Sequence, residues 1–99
     1  ERLIVAALNR DAAATRRTLP AALSTLPDDE AGRRIAVVFR AMAQLGTGDA
    51  AGALATIGPV TPSLREYDAV LARAEIALAA RQWDDAVAGF TWVRDHVRA

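Results

Sequence analysis

The sequence has no cysteine, no lysine, one histidine, one methionine and only 5% aromatic residues. Without cysteine there is no disulfide, thiolate metal site or redox centre, which suits a cytoplasm and is harmless in a periplasm, so the compartment stays open. No apolar run approaches the roughly 18 residues that cross a bilayer. No charged leader precedes an apolar core and a small-residue cleavage site. Neither sign of charge dominates: 12 basic residues face 12 acidic ones, so electrostatics gives no general reason to expect nucleic acid or an anionic membrane. The basic residues are all arginine, which with the alanine load reads as the coding bias of a GC-rich bacterial genome.

What the chain does have is alanine. It carries most of the 53% hydrophobic content of the 99 residues, favours helix, and makes thin helices that pack at short distance. The expected class is all-α, in one small domain with a modest core. The chain lacks an initiator methionine, opens in an apolar helical pattern and stops in a charged one at Arg98 and Ala99. The expectation is a piece excised from a longer protein.

The stretch from Tyr67 to Phe90 sets the pattern: helix, short polar break, helix. Ala74, Ala77 and Ala86 let two helices approach closely, with Val70, Leu71, Leu78, Val87 and Phe90 expected to fill the space between them. Upstream, Leu3, Ile4, Ala7 and Leu8 mark one face of a short helix from Glu1 to Leu8. Asp11 is placed to cap a second helix over about 12–26, with Leu19, Ala22, Leu23 and Leu26 inward and Arg16 and Arg17 outward. Pro20 predicts a kink there, or two short helices.

A third helix is expected from Asp29 or Glu30 to Leu45, with Ile35, Val38, Met42 and Leu45 on one face. Gly46 is placed to take a left-handed conformation at its end, and Asp49 to cap a fourth helix over 50–57. Gly58 and Pro59 close that helix. Ser63 or Thr61 opens a fifth to about Ala80, and Trp83 or Asp84 opens a sixth that continues to the end.

The breaks recur. Asp49 and Gln82, Ala53 and Ala86, and Ile57 and Phe90 each lie 33 residues apart, and Asp11 and Asp49 lie 38 apart, a helix-turn-helix period in the mid-thirties. In its third unit Ala74 is the small residue of the first helix, Trp83 holds an aromatic turn position, and Ala86 and Phe90 are the small and large residues of the second. Ala41, Ala53 and Ile57 repeat these roles in the second unit; Leu19, Ala22, Leu23 and Pro27 fit the second half of the first. On these residues the chain resembles the tetratricopeptide repeat (TPR) family. It departs from the pattern at Thr15, where alanine is usual, at Pro20, and in an extra helical turn in the second unit. The resemblance implies a right-handed stack of antiparallel helical hairpins, a TPR-like α-solenoid fragment spanning residues 1–99, with units of about 1–28, 29–62 and 63–99. An unrelated alanine-rich helical bundle is the other reading.

The resemblance further implies a groove lined by the first helix of each hairpin, a place for a partner helix or extended segment. Its positions correspond here to Val38, Met42, Leu45, Leu71, Glu75 and Leu78, a mostly apolar surface several of whose members could equally be core. Some TPR proteins grip a C-terminal carboxylate with lysine, arginine and asparagine; this chain has no lysine and apolar or acidic residues there, which argues against that mode. Arg40 and Arg73 could contact an acidic partner or simply be solvated. Trp92 points away from Phe90 and is a possible edge contact, for a following repeat or a homodimer; it could also lie flat on its own helix.

Chemistry has little to stand on. His96 has only Asp95, Arg94 and Arg98 near it in sequence and reads as a surface residue. The carboxylates of Asp28, Asp29 and Glu30, and of Asp84 and Asp85, sit at expected helix starts, where the dipole favours negative charge. Gly46, Thr47 and Gly48 lack the following glycine and lysine of a phosphate loop. The expected function is therefore a non-catalytic protein-protein interaction scaffold, with no catalytic residue, cofactor or metal. The alternatives are a small helical sensor enclosing an apolar ligand, and a self-association module.

Overall fold

Aspartate side chains start three of the helices. Asp11 accepts a hydrogen bond from the Ala14 amide at 3.1 Å, Asp29 from Gly32 at 2.8 Å and Asp49 from Gly52 at 2.9 Å. Each satisfies one of the amides that a helix leaves unpaired at its start. The computed structural model describes residues 2–97, so the expected helix start at Glu1 and the Arg98–Ala99 terminus lie outside the described residues. The elements are α1 (Arg2–Leu8), α2 (Ala12–Ser24), α3 (Glu30–Gly46), α4 (Ala50–Ile57), a 3-10 turn (Leu64–Glu66), α5 (Tyr67–Ala79) and α6 (Trp83–His96). The fold is all-helical, and no strand occurs among the described residues.

The turns after α1, α3 and α5 share one geometry. The amides of Asp11, Asp49 and Gln82 donate back to the carbonyls of Ala6, Gln44 and Ala77 at 3.0, 2.8 and 2.8 Å. One residue earlier, those of Arg10, Gly48 and Arg81 donate to Ala7, Leu45 and Leu78 at 3.0, 3.1 and 3.2 Å. This double closure requires a left-handed residue just past the helix, and Arg10, Gly48 and Arg81 have φ of 55°, 92° and 61°. Gly46, expected to fill that role, is instead the last residue of α3. It is buried, and a Cβ on it would stand 2.5 Å from Thr15 Oγ1 and 2.9 Å from Ala7 Cα. Gly46 thus serves close packing of three helices, and Gly48 serves the turn.

Pro20 does not split α2. The helix runs unbroken through it and ends at Ser24, two residues short of the expected Leu26. Pro20 and Arg16, whose carbonyl loses its helical donor, are both exposed, so water can take the missing partner's place and the cost of the proline falls below that of a buried one. Thr15 is fully buried in the same helix. Its hydroxyl donates to the Asp11 carbonyl at 2.7 Å, so no polar atom is stranded.

The helices pair as hairpins: α1 with α2, α3 with α4, and, most extensively, α5 with α6. α3 also lies against α1, α2 and α5, and α5 against α4. One core cluster runs through the middle, from Ala7 on α1 through Ala41, Met42 and Leu45 on α3 and Ala53 and Ile57 on α4 to Ala72 and Ile76 on α5. A smaller one joins Leu3, Ala22 and Ala43.

Within the last hairpin Ala74, Ala77 and Ala86 are buried as expected, and so is Val70. The large residues expected between the helices are displaced: Leu78 is 46% exposed and Val87 64%. A Cβ on Gly89 would come within 2.8 Å of the Ala74 Cβ, so the two helices meet on small residues.

Candidate binding groove

The first helices of the three hairpins, α1, α3 and α5, line a groove of about 610 Å³. Ile4 and Leu8 face it from α1, one turn apart. Arg34, Ile35, Val38, Phe39 and Met42 form the α3 wall, and Asp68, Ala69, Leu71, Ala72 and Glu75 the α5 wall, with Ala31, Arg65 and Glu66 at the rim. Both walls follow i, i+3, i+4, i+7 spacing, the stripe that one side of a helix presents. Ile4, Met42 and Glu75 stand at matching distances before the three turns, 38 and 33 residues apart.

Four of the expected groove residues, Val38, Met42, Leu71 and Glu75, come together here. Met42 forms the floor, 1% exposed. Leu45 lies wholly inside the core cluster, and Leu78 stands outside the groove lining in solvent. Ile4 and Leu8 of α1, and Ile35, Phe39 and Arg34 of α3, were not among the expected groove positions. Ile4 and Leu8 were legible as one helical face; that this face turns toward α3 and α5 depends on packing that no local spacing carries.

The charges on the groove are unequally matched. The Arg34 guanidinium reaches Glu30 at 3.2 Å and Glu66 at 3.6 Å, so the inner cation is already engaged on two carboxylates. The side chains of Asp68, Glu75 and Arg65 have no hydrogen-bonding or ionic partner among the described residues. Glu75 is half-buried and Asp68 exposed.

The other candidates fall into structural roles or onto the surface. Arg73 is half-buried, its Nε donating to the Gly58 carbonyl at 2.8 Å and its Nη2 lying 3.5 Å from Asp85. It ties α5 to the end of α4 and to α6. Arg40 is exposed. Trp92 is half-buried, its ring 6.0 Å from Tyr67 and stacked on His96 at 4.1 Å, while His96 Nδ1 sits 2.7 Å from the Trp92 carbonyl. Trp83 begins α6 with its ring largely in solvent. Among the described residues no group of three or more His, Cys, Asp or Glu side chains converges as a metal site would require, and no helix is long and apolar enough to cross a membrane.

No protein-family model, curated protein or solved structure matches the chain.

Proposed function

We propose that this chain is a non-catalytic, TPR-like repeat scaffold of a larger bacterial protein, and that the groove between α1, α3 and α5 binds a segment or helix of a partner protein. The observation that carries this reading is the groove itself, where three helices in equivalent places present aligned apolar stripes to one open channel. Support for the repeat comes from the three matching turns at Arg10, Gly48 and Arg81. Ridges of side chains on α3 and α5 leave between them a channel of the shape that helix packing fills.

The test is capture followed by mapping. The 99-residue chain is immobilised, and any polypeptide retained from a lysate is challenged with Leu71→Asp and Ile35→Asp, two groove variants of which Ile35 is 42% exposed and lies outside both core clusters. Loss of capture by both, with unchanged circular dichroism and partner-induced amide protection on α3 and α5, supports the reading. Capture insensitive to both, or protection confined to α6, overturns it.

The size of the groove favours a second reading, because about 610 Å³ lies within the range of small-molecule sites. Under it the groove encloses an apolar ligand and the domain is a sensor. Native mass spectrometry of the purified chain separates the two: a retained organic adduct, displaced in Leu71→Asp, favours the sensor.

A further inference from the structure

We infer that the partner segment is an amphipathic helix with two cationic side chains seven residues apart, seated on Glu75 and Asp68 with an apolar residue over Leu71 between them. This rests on the groove reading above and gives the occupant its chemistry. Asp68, Leu71 and Glu75 lie on one stripe of α5, the two carboxylates separated by two helical turns, about 10 Å along the axis. A helix lying alongside matches that separation with residues i and i+7.

Three observations converge on a cation. Glu75 stands in the register that Ile4 and Met42 hold in the preceding hairpins, so a carboxylate occupies a position that is otherwise apolar. Its half-buried side chain stands in a largely aliphatic channel and has no partner among the described residues. Of the two arginines lining the groove, Arg34 is engaged on Glu30 and Glu66, and Arg65 at the rim pairs with neither Glu75 nor Asp68. A cation brought in by the occupant restores what Glu75 lacks, and Asp68 offers a second, more exposed site of the same sign.

The occupant is helical because of what the walls withhold. Ile35, Val38 and Leu71 present hydrocarbon, and no strand edge borders the groove among the described residues. An extended backbone would bury its amides and carbonyls against these walls unpaired, whereas a helix satisfies its own.

The test uses two synthetic probes: N-acetylated, C-amidated amphipathic helical peptides that share a leucine stripe and carry either two arginines or two citrullines seven residues apart. Affinities for the 99-residue chain and for Glu75→Gln and Asp68→Asn are measured by fluorescence anisotropy, with circular dichroism confirming each fold. The arginine peptide should bind about tenfold tighter than the citrulline peptide, since two partly exposed ion pairs together contribute about that much. Glu75→Gln should remove most of the preference, weakening the arginine peptide more than the citrulline peptide. Equal affinities for the wild-type chain, or a preference that survives both substitutions, overturn the inference. If the citrulline peptide still binds and Leu71→Asp abolishes that binding, the groove reading stands without the inference; if neither peptide binds the wild-type chain, both fall.

Discussion

Arg10 and Arg81 occupy backbone that L side chains enter at a cost, with φ of 55° and 61°, where the third equivalent turn has Gly48. Replacing Arg81 by glycine relieves that strain, offset in part by the greater freedom of the unfolded chain. The expected net effect is stabilisation by about 0.5 kcal/mol, read as a higher urea midpoint. Arg10 differs because its Nη1 donates to the carbonyls of Ala7 and Leu8 at 3.0 and 3.2 Å, capping the end of α1. Arg10→Gly loses those bonds and should be neutral or destabilising. A gain of equal size at both positions would show that the side-chain cap contributes nothing.

At the level of elements, the contact between α5 and α6 depends on what is missing from Gly89. Gly89→Ala adds helix propensity of up to about 1 kcal/mol, yet its Cβ would stand 2.8 Å from that of Ala74. Overpacking should prevail, with a net loss of about 1 to 3 kcal/mol. Adding Ala74→Gly removes the opposing methyl, so the double variant should be less destabilised than the sum of the single ones. Strict additivity in a urea-denaturation cycle would mean that the helices separate freely. The alanines of this contact were legible in the sequence, because small residues at helical spacing have one obvious use. Gly89 was not, since a glycine inside a helical pattern names no neighbour. The aspartate caps at residues 11, 29 and 49 were equally legible, being decided within four residues of chain. The Arg73 link to the Gly58 carbonyl joins groups 15 residues apart, and only tertiary packing creates it. The groove was legible in the same uneven way: Val38, Met42, Leu71 and Glu75 follow from the stripes of two helices, whereas the burial of Leu45 and the part played by α1 follow from how helices meet.

Across the whole molecule, burial depends on whether a neighbour follows. Leu45 and Leu78 precede their turns at the same distance, but α5 packs against the α3–α4 hairpin while no described helix lies beyond α6, leaving Leu45 1% and Leu78 46% exposed. The radius of gyration is nonetheless 12.9 Å, close to the ~13 Å of a compact chain of this length. The hairpins therefore share a centre, and Ile76, fully buried in the cluster that joins α1, α3, α4 and α5, lies at it. Leu3, equally buried, belongs to the smaller cluster with Ala22 and Ala43. Each truncation to alanine should cost about 2 to 5 kcal/mol, but the losses should spread differently. With stability carried by nearest-neighbour contacts, native-state hydrogen exchange of Leu3→Ala should show α1 and α2 opening while amides of α5 and α6 keep their protection. Ile76→Ala should lower protection in α1, α3, α4 and α5 together. An equal fall in every helix for both variants would mean that the chain unfolds as one unit, and that its hairpins, though built on the same turn, are not separable in energy.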